Sequence, residues 1–300
     1  MILYGPYSSS IGHELAEALG QKKVGFVTKI FPDGESYIRL PESVGEQTVV
    51  VNTLFPDQDK RFVETLLMCD SLTRNGADEI TLVTPYLAYA RQDKVFLNGE
   101  PIALKALGSA LSCVGVKKLV AVEAHSQEAI EALGLEAINV KVNQSLCGAV
   151  QALPQRPHVV VAPDEKASFR AKEIADKLGL ELMVFSKYRD RDTGEVKKIE
   201  PLKPVDVKEK VVVLVDDIIS SGESIAKASV ILKSLGAGAI YAVCVHALMV
   251  KNAEQRLRDS GVLSVFGSNT VENEFAKFSV AKELTSALKL DRDQLSQSVI

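Results

Sequence analysis

The sequence predicts an α/β protein of two similar halves, each built on a mostly parallel sheet that helices cover on both faces. Apolar runs of strand length alternate with helical stretches throughout the 300 residues, and uninterrupted apolar strands are typical of buried parallel sheets. A glycine follows several predicted helices, where a left-handed residue commonly ends a helix. These glycines are Gly76, Gly115, Gly179 and Gly236. The helix-glycine-strand pattern around Gly76 recurs around Gly236. This is a weak internal repeat that any α/β chain can show.

The individual elements follow from this alternation. Predicted strands span residues 48–52, 79–84, 118–122, 158–162, 211–215 and 239–245. Predicted helices span residues 11–19, 60–75, 102–114, 168–178, 225–235 and 251–260. Pro154 and Pro157 interrupt a helical stretch before a new strand, which places a boundary between the halves. We expect an N-terminal α/β domain over residues 1–145 and a C-terminal domain over 146–277, with a last helix at about 278–300 that can pack back on the first domain.

Composition and charge describe a soluble globular protein and exclude several functional classes. Apolar residues make up 46% of the chain and charged residues 25%, and the formal net charge is −4. This balance predicts no nucleic-acid partner and no membrane partner. No apolar run approaches the roughly 18 residues of a membrane span, and the N-terminus lacks the pattern of a secretory signal. We therefore expect a cytoplasmic protein.

The four cysteines are far apart in the sequence and form no CxxC pair. Each lies in an apolar or helical context, which is typical of reduced, partly buried thiols in a cytoplasmic protein. A metal site or a catalytic cysteine is the alternative. These residues are Cys69, Cys113, Cys147 and Cys244.

The segment from residue 211 to residue 225 is the most informative part of the chain. Five apolar residues lead to two adjacent carboxylates, Asp216 and Asp217, and a loop of small residues precedes the next helix. This order predicts a buried parallel strand that ends in acids at the edge of the sheet where ligands bind. The acids suit ribose hydroxyls or a metal-bound sugar, and the loop suits a phosphate at a helix N-terminus. The loop residues are Ser220, Ser221, Gly222, Glu223 and Ser224.

An aromatic residue precedes two carboxylates in the motif Phe31-Pro-Asp-Gly-Glu35. Phe31 can stack on a planar base, while Asp33 and Glu35 accept hydrogen bonds from an exocyclic amine. The alternative is a surface turn, because Pro-Asp-Gly is a strong turn signal, and the motif by itself favours that alternative.

Charged residues also follow the predicted strand at 79–84, in the motif Tyr89-Ala-Arg-Gln-Asp-Lys94. Arg91 and Lys94 can neutralise a polyphosphate at this edge of the sheet, and Arg91 offers a bidentate fork. The alternative is a solvated charged loop.

His125 follows another predicted strand and projects at the same edge. Histidine is a common metal ligand, although a single histidine is more often structural.

The charge-dense segment from residue 185 to residue 196 is typical of a mobile flap. Lys187 and Arg189 alternate along it, so that both side chains lie on one face of an extended strand. Two cations on such a flap can close over a charged transition state. The alternative is an ordinary exposed hairpin.

Together and in this order, these motifs resemble those of the ribose-phosphate pyrophosphokinases, also called phosphoribosyl pyrophosphate synthetases. The resemblance extends from Phe31 to about Val280, and the two motifs that begin at Phe31 and Tyr89 are highly specific in combination. The sequences Gly99-Glu-Pro-Ile102 and Thr270-Val-Glu272 are similar to the shorter, archaeal-type branch. The resemblance implies two phosphoribosyltransferase type I-like domains, of which the second carries a ribose 5-phosphate loop.

The resemblance also implies the reaction and the partners. The family transfers the pyrophosphoryl group of ATP to the 1-hydroxyl of ribose 5-phosphate with Mg²⁺, giving 5-phosphoribosyl 1-pyrophosphate and AMP for nucleotide biosynthesis. Adenine would be held by a neighbouring subunit, so the resemblance implies a homo-oligomer, at least a dimer.

Site residues follow from the positions that match the family motifs. The ATP site would consist of Phe31, Asp33, Gly34, Glu35, Arg91, Gln92, Asp93 and Lys94. The ribose 5-phosphate site would consist of Arg189, Asp216, Asp217, Ser220, Ser221, Gly222, Glu223 and Ser224. The catalytic residues would be Lys187 and Arg189, and the magnesium residues would be His125 and Asp164.

Three positions depart from the family pattern. Glu223 replaces a glycine in the phosphate loop, where a carboxylate facing the phosphate would repel it. Glu123-Ala-His125 stands in place of Asp-Leu/Ile-His, and two glycines are missing after Asp164, where Lys166 can supply a direct charge instead.

These departures leave two main hypotheses. The first is an active, Mg²⁺-dependent diphosphokinase, which the catalytic-loop residues Lys187 and Arg189 favour. The second is a non-catalytic regulatory or nucleotide-binding relative, which the altered phosphate loop favours. A phosphoribosyltransferase is a third and weaker hypothesis, because the ATP-type motifs argue against it.

Overall fold

A computed structural model describes residues 1–189 and 196–297, with side chains except at positions 127, 187–189, 196–199 and 290–297. The chain forms two compact units. The first contains residues 1–141, 269–272 and 279–300, and the second contains residues 142–268 and 273–278. The domain limits predicted at residues 145 and 277 stay predictions, since compactness by itself does not show that a unit folds independently.

The first unit is built on a fully parallel sheet. Its elements are β1 (Ile2–Tyr4), α1 (Ser9–Ala18), β2 (Lys23–Gly25), β3 (Val27–Ile30), β4 (Ser36–Arg39), β5 (Gln47–Val51), α2 (Gln58–Arg74), β6 (Glu79–Thr84), α3 (Ala103–Cys113), β7 (Val116–Val122), α4 (Gln127–Ala132) and β8 (Glu136–Val140). The six strands lie in the order β2-β1-β5-β6-β7-β8. Their inward side chains, such as Leu3, Val50, Leu82 and Leu119, form one core with those of α2 and α3. The connecting helices cover the sheet because parallel strands need crossovers.

A short antiparallel hairpin, β3–β4, stands apart from this sheet. All four residues of β3 are exposed, whereas β4 is half-buried and packs against α2. The expected surface turn at residues 31–35 is the tip of this hairpin.

The second unit has a seven-stranded sheet. Its elements are α5 (Asn143–Gln151), β9 (Val159–Ala162), α6 (Ser168–Leu178), β10 (Glu181–Arg189), β11 (Val196–Pro201), β12 (Val211–Ile219), α7 (Glu223–Ser234), β13 (Ala239–Ala247), α8 (Ala253–Ser260), β14 (Ser264–Ser268) and β15 (Ala276–Phe278). The strand order is β11-β10-β9-β12-β13-β14-β15, and only the β10–β11 pair is antiparallel. All residues of β9 and β13 are buried, which accounts for the apolar sequence of β9 and for that of β13 up to His246.

The last helix, α9 (Ala281–Gln297), belongs to the first unit and packs against α1 and β8. Its buried residues Leu284 and Leu288 are four positions apart, the spacing of one helix face. Among the helices in the described part of the chain, none is long and apolar enough to cross a membrane.

Two predicted strands, at residues 211–215 and 239–245, end too early. The strand predicted at 211–215 continues to Ile219, so Asp216 and Asp217 lie inside β12 rather than after it. The neighbouring strand β13 runs to Ala247 and pairs Asp216 with Cys244 and Ile219 with Ala247. Pairing with this long partner outweighs the low strand propensity of aspartate.

Candidate functional site

The tip of the β3–β4 hairpin presents the carboxylates of the predicted adenine motif to solvent. Phe31 and Glu35 close the turn, where the N–H of Phe31 donates to the carbonyl of Glu35 at 2.8 Å. Gly34 has φ +97°, a conformation that glycine adopts readily. Asp33 and Glu35 are exposed, and Phe31 is 39% exposed. The turn thus projects an aromatic ring and two carboxylates together.

Aromatic and cationic groups pack beside this turn. The rings of Phe31 and Tyr37 meet edge to face with centroids 5.9 Å apart. Lys29 Nζ lies 4.9 Å from the Phe31 centroid and 4.5 Å from the Tyr37 centroid. These contacts hold the Phe31 ring in place on the hairpin.

The hairpin is tied to α2 by a buried polar group that the sequence did not reveal. Ser36 Oγ donates to Glu64 Oε1 at 2.8 Å, and Arg61 Nη1 lies 2.8 Å from Glu64 Oε2. Both members of this ion pair are buried, and the Arg61 guanidinium lies over the Tyr7 ring at 4.9 Å. In the sequence, Arg61 and Glu64 have the spacing of an ordinary surface pair on a helix, so only burial distinguishes them.

The loop after β6 and the loop after β7 meet at the carboxyl edge of the first sheet. Arg91, Gln92 and Lys94 are exposed, and Asp93 is half-buried. Asp93 Oδ2 accepts a hydrogen bond from Ser126 Oγ at 3.1 Å, and Ser126 also caps α4. The cationic loop is therefore held beside the exposed His125, as expected for charged residues that follow adjacent parallel strands.

The residues that hold the His125 loop were not predicted. The side chain of Asn139, on β8, donates to the carbonyl of Ala124 at 3.3 Å and accepts from its N–H at 2.9 Å. Glu123 is buried with φ +42°, and Lys141 Nζ lies 3.1 Å from its Oε2. These contacts account locally for a glutamate at a position where the family has aspartate, since its longer side chain reaches Lys141.

In the second unit, Asp164 organises the loop that follows β9. Its Oδ1 accepts hydrogen bonds from the N–H groups of Lys166 at 3.1 Å and Ala167 at 3.2 Å. The next residue, Glu165, accepts a hydrogen bond from Ser186 Oγ on β10 at 2.6 Å. The loop is thus fixed by side chains at the place where the family has two glycines.

Asp216 and Asp217 lie on β12, directly beside β9 in the sheet. Although they are adjacent on the strand, the side chains of Asp216 and Asp217 lie close enough to interact. Asp216 Oδ1 accepts from the N–H of Asp217 at 2.9 Å. Burial raises the pKa of Asp216 well above its usual range, and the negative charges of Asp217 and Asp164 raise it further. A cation among these acids would reverse that repulsion.

The phosphate loop connects β12 to α7. Gly222 has φ +74° and immediately precedes the first residue of α7, Glu223. The Glu223 side chain is exposed to solvent, and an acid in the first turn of a helix interacts favourably with the helix dipole. Ser220, Ser221 and Ser224 are half-buried in the same loop.

The two predicted catalytic cations fall on β10, where Lys187 pairs with Ile199 and Arg189 with Val196 of β11. Their side chains and residues 190–195 lie outside the described residues. The backbone confirms that both belong to a hairpin strand, two positions apart. Their predicted roles stay predictions.

The described residues contain no group of three or more His, Cys, Asp or Glu side chains arranged to hold a metal ion. Asp164, Asp216 and Asp217 supply the hard oxygen donors that Mg²⁺ prefers.

Comparison with known families matches almost the whole chain. Residues 1–115 match the family described as the N-terminal domain of ribose phosphate pyrophosphokinase. Residues 127–283 match the phosphoribosyl transferase domain family. The prediction of an α/β fold with two phosphoribosyltransferase-like domains is confirmed.

Individual relatives agree with these families. The chain is 38% identical to the ribose-phosphate pyrophosphokinase of Saccharolobus solfataricus over 272 residues, which cover 90% of this chain and 93% of the relative. It is 35% identical to that of Methanopyrus kandleri over 280 residues, covering 93% and 95%. Among solved structures, phosphoribosylpyrophosphate synthetase from Mycobacterium smegmatis matches with a TM-score of 0.83 and 26% identity, covering 98% of this chain and 99% of that one. The predicted resemblance is thus confirmed.

Proposed function

Since this chain belongs to the ribose-phosphate pyrophosphokinase family, we propose that it transfers the pyrophosphoryl group of ATP to the 1-hydroxyl of ribose 5-phosphate, yielding 5-phosphoribosyl 1-pyrophosphate and AMP. The reaction would depend on Mg²⁺ and serve nucleotide biosynthesis in the cytoplasm. The observation that carries the proposal is the meeting of the Asp164 loop, Asp216, Asp217 and a small-residue loop on the neighbouring strands β9 and β12.

The loop and the acids would bind different parts of ribose 5-phosphate. The loop at residues 220–224 opens onto the N-terminus of α7, where backbone N–H groups and the helix dipole favour a phosphate. Asp216 and Asp217, a few residues upstream, are suited to accept hydrogen bonds from ribose hydroxyls. Glu223 is compatible with this role because its side chain is exposed rather than buried in the loop.

ATP would be bound by residues of the first unit. Arg91 and Gln92 would contact the phosphates, with Asp93 and Lys94 in the same loop, and the exposed Phe31 ring would stack on adenine. We propose that the hairpin bearing Asp33, Gly34 and Glu35 serves the ATP site of a neighbouring subunit, which requires a homo-oligomer of at least two chains.

His125 in the first unit and Asp164 in the second would each serve magnesium, and Asp216 of β12 lies near Asp164. The carboxyl groups of Asp217 and Asp164 lie near that of Asp216, and this grouping of acids supports a cation in the second unit. At these residues Mg²⁺ would supply positive charge that offsets the charge of the phosphates.

The chemical step is a nucleophilic substitution at the β-phosphorus of ATP. The ribose 1-oxygen forms a bond to this phosphorus, the bond to the oxygen that bridges the α- and β-phosphates breaks, and AMP leaves with that oxygen. The 1-hydroxyl proton is released. Lys187 and Arg189 would stabilise the charge of the transferring group, so catalysis consists mostly of positioning and electrostatic stabilisation.

The decisive experiment measures AMP formation from ATP and Mg²⁺, with and without ribose 5-phosphate. We expect sugar-dependent AMP release that Lys187→Ala abolishes. Lys203→Ala, at an exposed lysine beyond β11, is the matched control and should retain activity. If the folded wild type binds ATP but releases no AMP, the enzyme proposal fails and the non-catalytic, nucleotide-binding alternative replaces it.

A further inference from the structure

The phosphate loop rests on the stretch that follows β13, residues 248–256, hereafter the backing segment. The carbonyl of Ile219 accepts a hydrogen bond from the N–H of Leu248 at 2.9 Å. The carbonyl of Ser220 accepts one from the N–H of Val250 at 3.0 Å. The last carbonyl of β12 and the first carbonyl of the loop therefore point toward the same segment.

The next carbonyl, that of Ser221, also points toward the backing segment, but it accepts its hydrogen bond from a side chain. Arg256, on α8, donates from Nη1 to the carbonyl oxygen of Ser221. The next residue of α8, Leu257, lies against Gly222, where a Cβ atom would be 3.2 Å from Leu257 Cγ. Gly222 thus has both a left-handed conformation and a close neighbour, so this end of the loop is fixed from α8.

The direction of the carbonyls determines the direction of the loop N–H groups. The peptide bonds of this loop are trans, and in a trans peptide the C=O and N–H point in opposite directions. The N–H groups of Ser220, Ser221 and Gly222 therefore point away from the backing segment. Within the described part of the chain, these three N–H groups donate to no backbone carbonyl. Successive N–H groups that point the same way form a concave site for an anion.

We propose that Arg256 is a positioning residue for sugar-phosphate binding. It holds the Ser221–Gly222 peptide in the orientation that turns the Gly222 N–H toward the phosphate. The other two peptides are held by the backbone N–H groups of Leu248 and Val250, which only substitution by proline would remove. Arg256 also brings a fixed positive charge beside the loop in which Glu223 introduces a negative one. This inference rests on the proposed function of the loop.

The test compares three variants of the full-length protein. Arg256→Met keeps an extended apolar stem and removes the donors, and Arg256→Lys keeps the charge with one donor nitrogen in place of the guanidinium fork. Arg258→Met is the matched control, because Arg258 lies on the same helix, is exposed and pairs with Glu254 at 2.6 Å. Circular dichroism and thermal unfolding verify that each variant folds.

We expect Arg256→Met to raise the KM for ribose 5-phosphate about tenfold, the scale of one charge-assisted hydrogen bond. The KM for ATP should stay at the wild-type value. Arg256→Lys should lie between wild type and Arg256→Met, and Arg258→Met should match wild type. The dissociation constant of inorganic phosphate, measured by calorimetric titration, should rise in Arg256→Met by a similar factor.

An unchanged KM for ribose 5-phosphate in Arg256→Met would overturn the inference. An equal rise in the KM values for both substrates, or an equal effect of Arg258→Met, would also overturn it by indicating general damage. Calorimetric titration with ribose 5-phosphate separates this result from failure of the proposed function. If the wild type binds ribose 5-phosphate but does not convert it, the proposed activity is refuted. In that case the ratio of the dissociation constants of Arg256→Met and wild type still tests the role of Arg256. A wild type that binds no sugar phosphate overturns both.

Discussion

The side-chain amide of Asn139 pairs with both backbone groups of Ala124, the residue between Glu123 and His125. An amide presents a donor and an acceptor with the spacing of a peptide group, so Asn139 acts as one more backbone partner for the loop after β7. The loop contains a non-glycine residue at positive φ, Glu123, and such a conformation persists when its surroundings fix it. Asn139 and Lys141 supply that support, and His125 is held in a set position as a result.

Asn139→Leu should therefore reduce kcat by displacing His125, with a loss of about tenfold to a hundredfold. If His125 serves the metal, the Mg²⁺ concentration that gives half-maximal activity should also rise, which a general loss of stability would not cause. Initial rates over a Mg²⁺ titration provide the measurement. Asn75→Ala removes an exposed amide of the same unit that bonds Ser71 and should behave as wild type. A normal Mg²⁺ profile in Asn139→Leu would refute the positioning role.

Loss of the hydrogen bond from Ser36 to Glu64 should weaken the binding of ATP and leave the binding of ribose 5-phosphate unchanged. Ser36→Ala leaves a buried carboxylate oxygen with one donor fewer, at a cost of about 1–3 kcal/mol, and loosens the hairpin that carries Phe31. We expect a lower thermal midpoint and a KM for ATP raised several-fold, with the KM for ribose 5-phosphate unchanged. Thr28→Ala, at an exposed position on the same hairpin, is the control. Equal changes in both KM values would contradict the assignment of the hairpin to ATP.

Removing the charge of Glu223 should have little effect. Because its side chain is exposed, water and salt screen it from a phosphate in the loop. The KM of Glu223→Gln for ribose 5-phosphate should stay close to the wild-type value at about 0.15 M salt, where the screening length is roughly 8 Å. Steady-state kinetics at low and physiological salt measure this effect. A large fall in KM at both salt concentrations would show that the carboxylate faces the phosphate.

Thiol reactivity should distinguish Cys113 from the other cysteines. Cys113 is exposed, whereas burial raises the pKa of Cys69 to about 12 and raises the pKa of Cys147 and of Cys244 as well. A raised pKa keeps the thiol protonated at pH 8, and the thiolate is the reactive form. Labelling with a chromogenic disulfide at pH 8 should therefore show one rapidly reacting thiol in the native protein and four in denaturant. Cys113→Ser should lose the rapid phase; fast labelling that persists in this variant would contradict the burial of the others.

The predicted limits of an element were accurate where its own residues set them, and inaccurate where pairing with another strand set them. The strand predicted at 79–84 and the helix predicted at 168–178 have the observed limits. Their ends are marked by composition, including Gly179, which adopts the left-handed C-cap. The strand predicted at 211–215 was four residues too short, because the end of β12 is set by pairing with β13 and not by its own residues.

The candidate site shows the same division. The 91–94 loop and His125 were singled out from the sequence because each follows a predicted strand, whereas Asp164 was assigned from the resemblance to the family. The supporting residues Glu64, Asn139 and Arg256 were missed. Each lies far in sequence from the residue it holds, and none is distinguishable locally from an ordinary surface residue of its helix or strand.

By itself, the sequence determined the α/β fold, its repeated phosphoribosyltransferase-like character and the family, because these depend on hydrophobic periodicity and on short motifs whose residues are neighbours in the chain. Only the tertiary structure decided that Glu223 faces solvent, that Asp216 lies inside a paired strand and that Arg256 holds a peptide 35 residues away. The physical reason is that burial, charge-charge distance and the direction of a peptide group arise from contacts between distant segments, which no local pattern records.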